Sequence, residues 1–264
     1  MSVTEKKDNI PVIHAADLRK EYLRQGKGTN IFTAVDRTEL SVYAGELVVL
    51  KGRSGSGKTT LLNMLAGLLT PTDGKVLFYE DAVLHCGSDP RNENGIDLYA
   101  LGDEERSLLR GRYFGYIPQG AGAVGSLTVT ENVLIPWRLS GEAGHKSKDP
   151  VCPEAAGAEK EIMAYAAELL EILGIGHLSG EMPRSLSGGE LRRLAIARAL
   201  VTRPAVIFAD EPTGDLDDQS AREVFSLLRK KADEGAAVLL VTHENGAEAC
   251  ADRCITRQHP VSGA

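Results

Sequence analysis

Apolar segments alternate with segments of helical periodicity along most of the chain. A short strand is predicted at 46–51, and continuous apolar runs at 205–209 and 236–242 are typical of parallel strands that are covered on both faces. Residues 217–231, between the last two runs, place their apolar side chains at the spacing of an amphipathic helix. Further strands are predicted at 75–79 and 113–117, and further helices at 59–67, 103–110, 162–173 and 191–200. This alternation predicts an α/β domain with a mainly parallel sheet.

Composition narrows the class of protein. The chain has 264 residues, of which 42% are hydrophobic, and a net charge of −7. These values exclude disordered, collagen-like and disulfide-scaffold proteins, and the acidic balance argues against a nucleic-acid partner. The first eight residues lack the apolar segment of a secretory signal, and the longest uncharged run contains Pro118 and Gln119. We therefore expect a soluble, cytosolic chain that reaches a membrane only through a partner.

The cysteines and two polar segments are possible binding elements. Cys250 and Cys254 stand near His259, but no second pair completes the four ligands of a zinc site. Buried or inert thiols are therefore favoured over a metal site for all four cysteines, Cys86, Cys152, Cys250 and Cys254. Segments 85–96 and 140–158 are rich in turn-forming residues, and they are predicted to be surface insertions rather than specific binding elements.

A glycine-rich segment at 52–59 follows the pattern G-x-x-x-x-G-K-T between a predicted strand and a predicted helix. Such a loop wraps backbone N–H groups around phosphate, and the helix N-terminus adds partial positive charge. Lys58 can reach the β- and γ-phosphates, and Thr59 can supply a hydroxyl to Mg²⁺. The residues predicted to hold the nucleotide here are Gly52, Arg53, Ser54, Gly55, Ser56, Gly57, Lys58, Thr59 and Thr60.

Two adjacent acidic residues supply the second half of a phosphate-cleaving site. Asp210 ends an apolar strand, which is where proteins with such a phosphate loop place a Mg²⁺ ligand. Glu211 follows directly, and a carboxylate in that position can orient and activate the attacking water. Either acid alone could be a solvated strand end, but beside the glycine-rich loop the pair predicts a nucleoside triphosphatase.

A second glycine-containing turn, Leu186-Ser-Gly-Gly-Glu190, opens an arginine-rich helix. Taken alone, this turn is best interpreted as a helix N-cap. Considered together with the other motifs, it resembles the signature motif of the ABC ATPases. The resemblance implies that Ser187, Gly188, Gly189 and Glu190 contact nucleotide.

The remaining ABC ATPase motifs are then matched in order. Gln119 resembles the Q-loop residue, residues 214–217 resemble the D-loop, and His243 resembles the switch histidine. Tyr22 resembles the aromatic residue that stacks on adenine, although it could simply be a packed edge residue. The resemblance implies catalytic roles for Lys58, Gln119, Glu211 and His243, and Mg²⁺ coordination by Thr59, Gln119 and Asp210.

The resemblance covers roughly residues 10–256. It implies a single P-loop NTPase domain with a RecA-like core, a helical subdomain at about 120–188 and an N-terminal antiparallel β subdomain. Residues 1–9 and 257–264 are expected to be flexible ends.

Two short segments, 209–217 and 132–136, are similar to the subfamily of lipoprotein-releasing, macrolide-export and cell-division ATPases. The chain also departs from the family pattern. Leu191 stands where glutamine is common, and Asp215 replaces the more usual asparagine, adding negative charge near the expected dimer seam. The last strand is expected to be short.

The resemblance implies ATP and Mg²⁺ as ligands, a head-to-tail homodimer, and a separate integral membrane permease that docks near 120–137. Trp137, within that segment, could be a core residue or an interface residue. The implied location is peripheral, on the cytoplasmic face of the inner membrane. A soluble ABC ATPase that drives a non-membrane partner, as in cluster assembly, stays open as an alternative. A scaffold that does not hydrolyse nucleotide is disfavoured by Glu211 and His243.

Overall fold

A computed structural model describes residues 10–24, 30–80, 82, 95–120, 122–140 and 155–257. Most of the two predicted insertions and both chain ends, apart from Arg257, lie outside this range. The strands are β1 (Ile13–Arg24), β2 (Asn30–Val42), β3 (Leu47–Gly52), β4 (Asp73–Phe78), β5 (Ile96–Asp97), β6 (Phe114–Ile117), β7 (Val206–Asp210), β8 (Ala237–Val241) and β9 (Arg253–Arg257). The helices are α1 (Lys58–Leu65), α2 (Asp103–Tyr113), α3 (Val129–Leu139), α4 (Ala155–Ile172), α5 (Gly188–Leu200) and α6 (Asp218–Asp233).

A five-stranded parallel sheet forms the centre of the molecule, in the order β6-β7-β8-β3-β9. Every residue of β7 and β8 is buried, which explains why these strands read as uninterrupted apolar runs. The predicted α/β class with a mainly parallel sheet is confirmed. The last strand, β9, has five residues and pairs with β3 along its whole length.

Alternate residues of the central strands enter two separate cores. On β7, Ile207 and Ala209 pack with side chains of α3, α4, α5 and α6. Val206 and Phe208 point to the opposite face, where α1 and the N-terminal strands cover them. Because successive side chains of a strand point in opposite directions, one short strand contributes to both cores.

A four-stranded antiparallel sheet, in the order β2-β1-β4-β5, lies against the face that α1 also covers. The register of β1 with β2 shifts several times between Ala15 and Glu21. Two non-glycine residues of this region, Asp17 and Arg37, have positive φ angles of 49° and 28°. Such irregularities twist a long hairpin, so that it can follow the curved surface of the core.

The segment 122–140 turns from the end of β6 into α3, and Asn132 secures that turn. Asn132 is fully buried, and its side-chain oxygen accepts a hydrogen bond from the backbone N–H of Val124 at 2.8 Å. Its amide nitrogen lies within hydrogen-bond distance of three carbonyl oxygens, those of Val124 (3.1 Å), Leu127 (2.9 Å) and Thr128 (2.9 Å). Thr128 also caps α3 by accepting from the N–H of Glu131 at 3.3 Å.

Replacing Asn132 by alanine is expected to lower the free energy of unfolding by about 3 kcal/mol. The reason is that each lost hydrogen bond is worth about 1 kcal/mol and the buried backbone groups lose their partner. Thermal unfolding measures the effect as a fall in Tm of several degrees. Leu139→Ala on the same helix is the control, because Leu139 is 78% exposed. Equal Tm values for the two variants would contradict this role of Asn132.

The two cysteines within the described range are free thiols. Cys250 is half-buried, and its thiol donates a hydrogen bond to the carbonyl oxygen of Ala247 at 3.1 Å. Burial raises the pKa of the Cys250 thiol, which makes it a poor nucleophile. Cys254 is exposed on β9. Cys86, Cys152 and His259 lie outside the described residues.

Candidate nucleotide site

The carboxyl ends of four neighbouring strands carry the predicted site residues. The glycine-rich loop follows β3, Asp210 and Glu211 stand at the end of β7, His243 follows β8, and Gln119 follows β6. Asp210 on β7 is paired with Val241 on β8, and Val241 is paired with Leu50 on β3. Parallel pairing therefore brings residues from distant parts of the sequence to one edge of the sheet.

The loop between β3 and α1 is shaped by glycines that a larger residue could not replace. Gly57 immediately precedes α1 with φ of 81°, and a Cβ atom there would collide with the backbone of Ala34. A Cβ atom on Gly52 would lie 2.6 Å from the carbonyl oxygen of Arg257. The loop is thus clamped between β2 and the end of β9, which presents it in one conformation to a phosphate group.

Two polar groups of this loop are buried in ways that suit an anion. Lys58 is only 8% exposed, and its ammonium donates to the carbonyl oxygens of Gly52 (2.8 Å) and Arg53 (3.1 Å). Ser56 Oγ is buried without a hydrogen-bond partner among the described residues. An orphaned hydroxyl beside a lysine and a helix N-terminus fits a bound phosphate. Arg53, Ser54 and Gly55 are exposed on the same loop. In the first turn of α1, Thr59 is exposed and Thr60 is half-buried.

Thr59 and Asp210 meet at the base of this loop. The Thr59 hydroxyl donates to Asp210 Oδ1 at 3.2 Å, and Asp210 itself is 1% exposed. Burial is the main cause that raises the pKa of the Asp210 carboxyl, and the Thr59 hydroxyl counteracts it. A hydroxyl beside a buried carboxylate is an oxygen donor set that Mg²⁺ prefers. These two residues therefore fit a Mg²⁺ ion, which would also relieve the cost of burying the Asp210 charge.

Glu211 and His243 form a pair across the ends of β7 and β8. His243 Nδ1 lies 3.0 Å from Glu211 Oε1, and the backbone N–H of His243 donates to Glu211 Oε2 at 3.4 Å. Glu211 has a φ of 46°, in the left-handed region, and its backbone N–H donates to the carbonyl oxygen of Val241 at 2.8 Å. A strained non-glycine residue that neighbouring strands hold in place is a common feature of functional sites.

The contact with Glu211 raises the pKa of the His243 imidazole, chiefly through the hydrogen bond and then through charge attraction. An ordinary exposed histidine has a pKa of about 6.5. We predict that the pKa of His243 is higher. In Glu211→Gln the pKa should fall back towards that value, as NMR titration of the ring protons can show. Because folding raises this pKa, the contact stabilises the fold at acidic pH, and its contribution is lost as the pH rises through the folded-state pKa. An unchanged pKa in Glu211→Gln would contradict the pairing.

Gln119 is exposed at the end of β6, and its backbone is held by a residue that no sequence motif singles out. Arg192, on α5, donates from Nη1 to the carbonyl oxygen of Pro118 at 2.6 Å and from Nη2 to that of Gln119. It also lies 3.3 Å from the carboxylate of Asp215. The extra negative charge noted at Asp215 is thus paired within the same chain. Leu191 packs partly buried against the core.

The Ser187–Glu190 turn begins α5 and forms a capping box. Ser187 Oγ accepts from the N–H of Glu190 at 3.4 Å, and the Glu190 carboxylate accepts from Ser187 N at 2.7 Å. The hydrogen bonds that the Glu190 carboxylate accepts from the backbone N–H and the hydroxyl of Ser187 lower the pKa of this carboxyl. Ser187 and Gly188 are exposed, and the side-chain hydrogen bonds seen for Ser187 stay within the turn. The turn is therefore both the helix cap that its sequence predicts and an exposed helix N-terminus.

Tyr22 lies near the tip of the β1–β2 hairpin and is 40% exposed. The Lys20 ammonium stands 5.5 Å from the centre of its ring. The partner strand β2 reaches the glycine-rich loop through Ala34, whose carbonyl lies against Gly57. The hairpin that carries Tyr22 therefore borders the phosphate loop, with the ring open to solvent on one side.

Sequence reasoning misses Arg192 because no local signal separates it from its neighbours. It is one of three arginines in α5, a helix whose apolar and polar positions are not clearly segregated, so periodicity gives no inward face. Its acceptors lie 74, 73 and 23 positions away in sequence. A second unpredicted contact joins the buried Thr213 hydroxyl to Glu244 at 2.7 Å, linking the loops after β7 and β8.

Comparison with known proteins places this geometry in a family. The family model described as ABC transporter matches residues 35–214. The chain is 35% identical over 243 residues to the lipoprotein-releasing system ATP-binding protein LolD of Psychrobacter arcticus, covering 92% of this chain and 93% of that protein. It is 38% identical over 244 residues to LolD of Hydrogenovibrio crunogenus, covering 92% and 91% of the two chains.

Solved structures of ATP-binding cassettes also match this chain. The fold matches the dimeric structure of a bacterial ABC transporter cassette with a TM-score of 0.76 and 30% identity, over 93% of this chain and 94% of that one. It also matches a dimeric ATP-binding cassette in a post-hydrolysis state, bound to ADP and Pi, with a TM-score of 0.76 and 27% identity over 94% of each chain. No helix within the described ranges is both long and apolar enough to cross a membrane.

Proposed function

Because the chain belongs to the ABC transporter family of ATP-binding proteins and is an ATP hydrolase, we propose that it powers a separate membrane permease of the lipoprotein-release or macrolide-export type. The observation that carries the site assignment is the convergence of the phosphate loop, the Thr59–Asp210 contact and the Glu211–His243 pair at adjacent strand ends. The relatives named LolD, which match over nearly their whole length, support the lipoprotein-release type.

Binding of ATP would begin at the loop between β3 and α1. The Lys58 ammonium donates to two loop carbonyls in the structure. When ATP is bound, it would donate to the β- and γ-phosphates instead. The Ser56 hydroxyl would gain a partner, and Tyr22 would stack on the adenine ring. A Mg²⁺ ion held by Thr59 and Asp210, with Gln119 as a further ligand, would neutralise phosphate charge.

Hydrolysis would use Glu211 and His243. The Glu211 carboxylate would accept a proton from the attacking water, which makes that water a better nucleophile. His243 now lies beside Glu211, and 73% of its side chain is exposed, so it is free to donate to a γ-phosphate oxygen. The left-handed backbone of Glu211 holds its carboxylate near His243 before nucleotide binds.

A second copy of the chain would complete each site. The turn of Ser187, Gly188 and Gly189, of which the first two are exposed, presents the N-terminus of α5, a favourable place for the γ-phosphate of the partner's ATP. Two such sites in a head-to-tail homodimer would close on ATP and open after the γ-phosphate is lost. The dimeric cassettes among the structural relatives support this arrangement.

The permease would dock at the segment 120–137, which extends from the Q-loop into α3. Within this segment Asn132 binds the backbone of Val124, Leu127 and Thr128. Trp137 is half-buried on α3, so one of its faces can serve the core and the other the partner. We place the ATPase domain at 10–256, with a helical subdomain at about 120–188. Docking would hold the protein peripherally on the cytoplasmic face of the inner membrane.

The first test uses tagged Glu211→Gln, incubated with Mg-ATP and detergent-solubilised native membranes. The expected result is recovery of one multi-span permease in amounts near equal to the bait, because ATP holds the dimer closed. Lys58→Ala, which removes the phosphate contact, is the matched bait that should recover no ATP-dependent partner. Recovery of soluble partners alone would overturn the transporter proposal and favour the soluble ABC ATPase.

A further inference from the structure

Arg192 connects two segments that the proposed function assigns to different partners. The Q-loop segment, residues 118–120, lies at the start of the permease-facing region. The D-loop segment, residues 214–217, follows the hydrolytic carboxylate and faces the expected dimer seam. Arg192 is 2% exposed, and its guanidinium donates to Pro118 and Gln119 on one side and to Asp215 on the other.

The Ser187–Glu190 turn also lies close to the D-loop segment. A Cβ atom on Gly189 would lie 3.4 Å from Leu216 Cδ2 and 3.5 Å from the carbonyl oxygen of Asp215. The N-terminal part of α5 therefore lies beside the D-loop segment at Gly189 and bonds to it through Arg192, three residues later. This close approach and the bond to Asp215 restrict independent movement of the two elements.

The charges explain why Arg192 needs partners on both sides. Arginine keeps its charge at all accessible pH values, and a nearly completely buried guanidinium is costly unless it is paired. Two backbone carbonyls and one carboxylate satisfy its Nη atoms, while its Nε is buried without a partner among the described residues. Movement of Asp215 would leave the guanidinium underpaired unless the Q-loop carbonyls adjusted with it.

We propose that Arg192 is a positioning residue that makes the Q-loop segment and the D-loop segment move as one unit. A displacement at the permease-facing side then reaches the dimer seam directly, without passing through bound nucleotide. This inference rests on the proposed function for the identity of the two partners. The mechanical link itself belongs to the single chain and can be tested there.

The test is an amide hydrogen-exchange cycle on the full chain, without nucleotide, using wild type, Arg192→Gln, Asp215→Asn and the double variant. In the presence of Arg192, Asp215→Asn should speed exchange at the amides of Gln119 and Gly120 by about three- to tenfold. In the Arg192→Gln background the same change should have no further effect at these amides. Effects confined to the D-loop segment in both backgrounds would overturn the proposal.

A functional readout tests the charge pairing of Arg192 with Asp215 and separates it from general stability. Arg192→Gln should lower the cooperativity of hydrolysis with respect to Mg-ATP, because the unpaired Asp215 would add a bare negative charge at the seam. The double variant should recover cooperativity, since the neutral asparagine side chain at position 215 no longer needs a cation. A merely structural role predicts the reverse, with the double variant no better than Arg192→Gln and with a lower Tm. That result would overturn the proposal.

If Arg192→Gln does not fold, Arg192→Lys replaces it in the exchange cycle. Lysine keeps the charge but lacks the planar fork that reaches both segments, so the loss of coupling is still expected. The exchange cycle needs neither a permease nor hydrolysis. Failure to recover a permease would therefore count against the proposed function and leave this link intact.

Discussion

Replacing Glu211 by glutamine is expected to lower ATP turnover by about 10²-fold or more while ATP binding is retained. Glutamine has nearly the same shape and can keep the left-handed backbone as well as glutamate does. It cannot accept the proton of the attacking water. Steady-state phosphate release measures turnover, and equilibrium binding of Mg-ATP measures affinity. Unchanged turnover would remove Glu211 from this role.

The matched control is Glu244→Gln. Glu244 is a second carboxylate close to His243 in sequence, and it accepts a hydrogen bond from the Thr213 hydroxyl at 2.7 Å. A glutamine side-chain oxygen can accept that same bond, so the local structure should persist. Turnover should then stay within about threefold of wild type. A comparable loss in both variants would show that removal of any negative charge here, rather than loss of a base, slows the reaction.

Gly57→Ala should abolish measurable binding of Mg-ATP. Gly57 precedes α1 with φ of 81°, a conformation that costs a residue with a side chain about 1–2 kcal/mol. In addition, the new methyl group would collide with the carbonyl group of Ala34. Since the colliding atoms belong to the backbone, relief requires the loop to move, and the phosphate cradle loses its shape. Calorimetric titration with Mg-ATP measures the affinity.

Gly174→Ala is the control that separates the cost of the left-handed backbone from the cost of the collision. Gly174 follows α4 with φ of 69°, and a Cβ atom there would meet no atom of the described residues within 4 Å. This variant should lose about 1–2 kcal/mol of stability from the left-handed backbone alone and bind Mg-ATP normally. Wild-type affinity in Gly57→Ala would show that the loop is more adaptable than its packing against β2 indicates.

The amino-acid sequence alone indicated the order of the motifs along the chain and the chemical groups at the strand ends. The apolar runs at β7 and β8 predicted buried parallel strands, because a strand covered on both faces has no polar side. The spacing of Gly52, Gly57 and Lys58 predicted a phosphate loop, because the residues that form it are adjacent in the chain. The structure confirms the α/β class; the roles of the individual site residues stay predictions.

Tertiary structure decided what joins these motifs. No sequence pattern indicates that Arg192 is buried, that its guanidinium pairs with Asp215, or that Glu211 has a left-handed backbone. Each of these features depends on elements brought together from distant parts of the chain. Local sequence determines which chemical groups stand at a strand end or a helix start, because those preferences act over a few residues. Which groups then meet depends on strand order and packing, and only the folded chain specifies those.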